Sequence, residues 1–291
     1  MRENTIFAVM LAALIAIVVA GGISHAAVPV KGTPKSRVVL GKAAPQVSGP
    51  TLSGGRASLA SYRGKYVLLM FWAAWCPDCR TELPNVIAAD RDVSGKRFAV
   101  LTYSVDKEKT LAMLKEWVTS MDMKFPVIYD GKGAKGKVPT IYGIRYIPTI
   151  YMVDPKGRII IKNVHGEAMS RVAKRLTEVG DRFKPIDVTA TLIDKKPTAD
   201  GIRVQVAVSN PEGGKYGIRL EVEYTPAGSE KAKYDYVRLT GRGTKFTGEA
   251  TVPVPKDALD ISIQPGVYSA VLDDYVYGDA VLVENEEPPA K

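Results

Sequence analysis

The chain has 291 residues, of which 46% are hydrophobic and 24% charged. That length exceeds one ordinary domain, and that composition excludes an intrinsically disordered protein and leaves enough apolar surface for sizeable cores. The formal net charge of +9 conceals an asymmetry: residues 27–184 hold 27 Lys and Arg against 13 Asp and Glu, a net +14, whereas residues 185–291 hold 12 against 17, a net −5. A basic surface of this kind fits solvation, acidic partners or contact with the acidic half, and nothing else in the sequence points to nucleic acid.

The first predicted element is an export segment. Arg2 is followed by an apolar run from Ile6 to Ala20, and Ser24 and Ala26 place small residues where a signal peptidase reads, giving a cut after Ala26. The alternative is an uncleaved membrane anchor formed by residues 6–23, a stretch at the lower limit for spanning a bilayer. No Cys lies near the end of the run, which excludes a lipoprotein anchor. Either way the bulk of the chain is expected outside the cytoplasm, periplasmic or facing the exterior, where disulfides persist and a thiol pair needs an electron source or sink.

Val28 to Lys35 reads as a tether, and Leu52 to Leu59 as a small hairpin around Gly54-Gly55. Tyr66 to Trp72 is almost wholly apolar, the pattern of a strand buried on both faces. It runs into Cys76-Pro77-Asp78-Cys79, which holds both cysteines of the chain and opens a helix expected to reach about Asp90 with Pro84 inside it. Two thiols at i and i+3 on a first helical turn lie on one face, close enough for a disulfide. Unpaired N–H groups and the positive end of the helix dipole there favour a thiolate, so Cys76 is expected to be acidified. Pro77 leaves no N–H unsatisfied. A structural disulfide or half of a zinc site are the competing readings; zinc would need two further ligands, and the histidines are His25 and His165 alone.

Phe98 to Ser104 is the next buried strand, and Asp106 is placed to cap a helix from Lys107 to about Ser120. Phe125 to Tyr129 is a short strand. The glycine-lysine loop from Asp130 to Lys137 lacks the order of a phosphate-binding loop and reads as solvated. A short helix over 140–145 leads into Tyr146-Ile147-Pro148-Thr149. Strands over 149–153 and 159–164 flank the turn Asp154-Pro155-Lys156-Gly157, and an amphipathic helix from Arg171 to Phe183 closes this half. The order β-α-β-α-β-α-β-β-α demands a central mixed sheet with helices on both faces, which is the thioredoxin arrangement.

Residues 38–184 resemble the TlpA/ResA-like branch of exported thioredoxin-fold thiol-disulfide oxidoreductases. The resemblance rests on Leu59-Ala60-Ser61-Tyr62-Arg63-Gly64-Lys65, on Phe71-Trp72-Ala73-Ala74-Trp75-Cys76-Pro77-Asp78-Cys79, on Pro84 and on Ile147-Pro148-Thr149. It implies a redox-active Cys76–Cys79 disulfide with no further cofactor, a protein disulfide as substrate and a membrane-bound or exported electron donor. It also implies a cis Pro148 facing the disulfide, with Ile147 pairing to the bound polypeptide and Trp75, Pro77 and Asp78 completing the substrate-binding set. Glu82 matches the acidic residue of the C-x-x-C-x-x-E-x-P pattern, which the branch links to proton transfer; a solvated helix glutamate is the plainer reading. Ordinary thioredoxins carry a buried Asp six residues before the first cysteine, where this chain has Met70. Peroxiredoxins need P-x-x-x-[ST]-x-x-C, and Leu69 and Ala73 occupy those positions here.

From Asp187 onwards alternation replaces helical periodicity, as in Ile202, Val204, Val206, Val208 and in Ile218, Leu220, Val222, Tyr224. Residues 187–285 are thus expected to form a small antiparallel β-sandwich-like domain with a partner-docking or shielding role. The sequence supports a thiol-disulfide oxidoreductase, with protein disulfide reduction as the direction the resemblance favours. The competing class is an exported binding protein whose C-terminal domain docks a partner, with the first half a scaffold.

Overall fold

A computed structural model describes residues 28–29 and 36–283, apart from 94, 96, 195 and 230. The expected leader or anchor over residues 1–26 lies outside the described residues. Among the described residues no helix is long and apolar enough to cross a membrane.

A two-residue strand β1 (Val28–Pro29) and a hairpin of β2 (Ser48–Pro50) and β3 (Arg56–Ser58) precede the main sheet. The hairpin is displaced from the 52–59 expected, because Gly54 and Gly55 at φ 90° and 75° take up the turn and leave the flanking residues to pair. Then come β4 (Tyr66–Trp72), helix α1 (Pro77–Val93), β5 (Phe98–Ser104), α2 (Leu111–Ser120), β6 (Val127–Tyr129), α3 (Lys137–Tyr142), β7 (Tyr146–Ile147), β8 (Thr149–Val153), β9 (Ile159–Lys162) and α4 (Ala168–Val179). Strand β4 is buried at every position, as a central strand covered on both faces must be. It pairs in parallel with β5 and antiparallel with β8; β5 pairs in parallel with β6, and β8 antiparallel with β9. Helix α1 packs against α4. This is the thioredoxin arrangement the element order demands.

Two helix expectations need correction. Asp106 does not cap a helix from Lys107: its carboxylate turns back to Ala74 and Ser104, and a single 3-10 turn, Glu108–Thr110, precedes α2. The short helix expected over 140–145 lies earlier, because Gly143 at φ 62° closes it with its N–H on the Pro139 and Thr140 carbonyls.

The remaining strands are β10 (Asp187–Leu192), β11 (Ile202–Ser209), β12 (Lys215–Thr225), β13 (Lys233–Arg242), β14 (Lys245–Val252), β15 (Leu259–Ser269), β16 (Asp274–Tyr277) and β17 (Val281–Leu282). β10, β11 and β14 form one antiparallel sheet and β13, β12, β15 and β16 another, with β17 beside β15. Strand β11 alternates buried and exposed along its whole length, burying Ile202, Val204, Val206 and Val208, and the other sheet buries Ile218, Leu220, Val222, Ile263 and Val267. Two sheets with apolar inner faces make the sandwich that the alternation requires. The larger sheet does not stop there, because Tyr277 of β16 pairs with Lys162 of β9 and carries the hydrogen-bonded path into the first half.

Candidate active site

Cys76 stands at the junction between the last buried residues after β4 and the first turn of α1. Its N–H donates to the Ala73 carbonyl at 3.2 Å, and its own carbonyl accepts from Arg80 N–H at 3.2 Å. The helix therefore begins with the sulfur at its N-terminus, where backbone donors are in surplus. One is used directly: the Cys79 N–H points at Cys76 Sγ at 3.3 Å. On its other side the Cys76 thiol reaches the Ile147 carbonyl at 3.6 Å. The Ile147–Pro148 peptide is cis.

Both cysteines are free thiols and buried. Their environments push them apart. The Cys79 thiol, hydrogen-bonded to Cys76 Sγ, is the main influence holding Cys76 below the ordinary thiol value; burial and the Asp78 charge oppose it, and the Cys79 and Asp78 N–H groups assist. Burial pushes the Cys79 thiol far up, and its bond to Cys76 pushes the same way. Cys76 is the sulfur suited to exist as a thiolate, and Cys79 the one that keeps its proton. The acidification expected from the helix terminus is thus led by the neighbouring thiol, with backbone donors second.

One turn further along α1, Glu82 is fully buried on the same face as Cys79, Leu83 and Val86. Its Oε1 accepts the Gly166 N–H at 2.5 Å. The solvated reading of Glu82 is thereby corrected: spacing at i+3 from a buried cysteine carries it into the core. Trp75 and Pro77 are exposed and Asp78 is half-buried, so these three form the rim, while Ile147 and Pro148 are buried opposite Cys76. Met70 is buried within β4. Leu69 and Ala73 are likewise buried.

Four features were not read from the sequence. Asp106 holds the Ala74 N–H, Arg80 Nε donates to the Ala74 carbonyl at 2.7 Å, and Gly166 contacts Glu82. Each pairs residues far apart in the chain or binds through backbone, which local spacing does not report. The Arg80 guanidinium also lies 4.9 Å over the Trp117 ring. The fourth is β1, whose Val28 and Pro29 pair antiparallel with Ile147 and Tyr146 beside the thiol. Among the described residues no group of three or more His, Cys, Asp or Glu converges as a metal site.

Residues 40–162 match the model of the AhpC/TSA family. The chain is 34% identical over 131 residues to the thioredoxin-like protein YneN of Bacillus subtilis, covering 45% of this chain and 74% of that protein. It is 31% identical over 135 residues to the thiol-disulfide oxidoreductase ResA of Bacillus thuringiensis, covering 46% of this chain and 75% of that one. Among solved structures, the thioredoxin domain of a thiol-disulfide oxidoreductase from Bacteroides vulgatus overlays with a TM-score of 0.44 at 27% identity, covering 48% of this chain and 98% of the other.

Proposed function

The chain belongs to the TlpA/ResA-like family of thioredoxin-fold thiol-disulfide oxidoreductases, and from that premise we propose that it reduces protein disulfides outside the cytoplasm. The observation that carries the reading is the seat of Cys76 Sγ between the Cys79 N–H and the Ile147 carbonyl. The Cys76 thiolate attacks one sulfur of a substrate disulfide, forming a mixed disulfide and releasing the first substrate thiolate, which takes a proton from water. Cys79 then gives its proton to the Glu82 carboxylate and attacks Cys76 Sγ. The Cys76–Cys79 bond forms, the second substrate thiolate leaves, and the two electrons of the dithiol now reside in the substrate. Trp75, Pro77 and Asp78 on the rim, with Ile147 and Pro148 behind them opposite Cys76, receive the polypeptide, and an exported or membrane-bound donor restores the dithiol.

The extracytoplasmic setting is supported by the apolar run after Arg2 and its small-residue cleavage site. Replacing Cys79 with Ser tests the chemistry, because the first step then stalls at the mixed disulfide. The expected result is a covalent adduct with a model peptide disulfide that dithiothreitol releases. Absence of the adduct, together with wild-type protein that leaves the peptide oxidised, overturns the reading. A phosphatase fusion after residue 35, active when exported, checks the compartment.

A further inference from the structure

The loop between β9 and α4 is tied down at both ends by different parts of the molecule. Asn163 opens it in the left-handed region at φ 53°, with its N–H on the Ile150 carbonyl at 2.8 Å. Its side-chain amide donates to the Gly278 carbonyl at 3.0 Å and to Asp279 Oδ1 at 3.3 Å. Just before it, Lys162 pairs across the sheet with Tyr277 and lies 3.2 Å from Asp279 Oδ2. Three residues after Asn163, the Gly166 N–H holds Glu82 Oε1. The loop therefore runs from the C-terminal strands directly to the carboxylate one helical turn beyond Cys79.

The anchor at Gly278 has little freedom. A Cβ there would meet the Val188 carbonyl oxygen at 2.0 Å, so the backbone is packed against β10 too closely for any other residue. Helix α4, which follows the loop, is held to the opposite end of β16, by Arg171 on Asp274 at 3.0 Å and Arg175 on the Val271 carbonyl in the preceding turn at 2.9 Å. The exposed Lys162–Asp279 ion pair is screened by solvent and adds little. The half-buried amide-to-carbonyl bond from Asn163 to Gly278 carries the tie.

We propose that the C-terminal strands act as a positioning element for the resolving step, with Asn163 as the positioning residue that sets loop 163–166 and through it Glu82. This rests on the reading of Glu82 as the acceptor of the Cys79 proton. On that reading Glu82 receives the Cys79 proton, and Asn163 acts through the Gly166 N–H that holds Glu82 Oε1. The arrangement gives the second half of the chain a part in the reaction other than docking a partner.

The test uses the full chain with Asn163→Gly and Glu82→Gln, alone and combined. Glycine takes the left-handed conformation freely, so Asn163→Gly removes the side-chain tie without forcing the backbone. Rapid quenching with a model peptide disulfide separates the attack by Cys76 from the release of the second thiol by Cys79. Asn163→Gly is expected to slow the second step by about tenfold, to leave the first within about twofold, and to add nothing in the Glu82→Gln background. If Glu82→Gln slows resolution but Asn163→Gly does not, the positioning role falls and the Glu82 reading stands. If Glu82→Gln leaves resolution unchanged, the Glu82 reading falls and the proposal with it. Equal slowing of both steps, or additive effects in the double variant, assigns Asn163 to general stability and overturns the proposal.

Discussion

The backbone N–H of Ala74 donates to the Asp106 carboxylate at 2.9 Å, across 32 positions of sequence. The same carboxylate oxygen accepts the Ser104 hydroxyl at 2.8 Å, and Arg80 clamps the other side of Ala74 at its carbonyl. Two side chains thus grip the peptide groups on either side of Ala74, two residues before Cys76. Asp106 is fully buried, and its second oxygen has no hydrogen-bond partner among the described residues. Removing the carboxylate strands a buried N–H and a buried hydroxyl, each costing about 1–3 kcal/mol. Asp106→Ala is therefore expected to lower unfolding free energy by about 2–5 kcal/mol, read by urea titration of the reduced protein. Asp106→Asn retains an acceptor for Ala74 and loses less.

The acidity of Cys76 is led by the Cys79 thiol. Cys79→Ala removes that donor, so the pH midpoint of Cys76 alkylation by iodoacetamide should move up towards the ordinary thiol value of 9.0. Cys79→Ser restores a hydroxyl donor and should fall between the two. An alkylation profile indifferent to residue 79 would assign the acidification to the helix terminus instead.

Alkaline stability follows with the opposite sign. The Cys79 thiol ionises at higher pH in the folded than in the unfolded chain, so above about pH 9 the unfolded state releases a proton that the folded state keeps. Stability conferred by the protonated Cys79 is present below that pH and lost as pH rises through it. The buried phenols of Tyr103 and Tyr142, also pushed up by burial, add to the same loss at higher pH. Urea midpoints of the reduced protein should fall between about pH 8 and 10, and Cys79→Ala should flatten the onset of that fall. Cys76 works the other way, since its lowered value adds stability above the unfolded thiol range that is lost as pH falls through its folded value.

Strand β1 occupies the backbone of Tyr146 and Ile147, and Cys76 is fully buried although Trp75 and Pro77 beside it are exposed. A protein starting at Ser36 should therefore react faster with iodoacetamide at Cys76 than one retaining Val28 and Pro29. Equal rates would show that the strand leaves access to the sulfur unaffected.

The parts of the fold set by local pattern were legible. Continuous apolar character gave β4, and the i+3 spacing of Cys76, Cys79 and Glu82 placed all three along one turn-by-turn face of α1. Alternation at Ile202 to Val208 gave β11 with its buried side. What was not legible depends on partners remote in sequence. Asp106 stands where a helix cap would, and its preference for Ala74 over the helix appears only when β4 and β5 lie side by side. The tie from Asn163 to Gly278 joins residues 115 positions apart through a backbone carbonyl, which carries no residue signature.

The borders of the first half's sheet have a consequence for a protein whose substrates are themselves polypeptides. On one side β16 lies against β9; on the other, Thr51 bridges to Ile128 and the Leu52 N–H caps the Val127 carbonyl beside β6. The far border of the long sheet, β13, presents Lys233, Asp235, Arg238 and Arg242 to solvent. Unsatisfied strand edges recruit extended chains into cross-molecular sheets, and charge or cover on the edge opposes that recruitment. Cover on both borders of the first half and charge along β13 therefore oppose the recruitment of extended chains by the same sheet that carries the thiols.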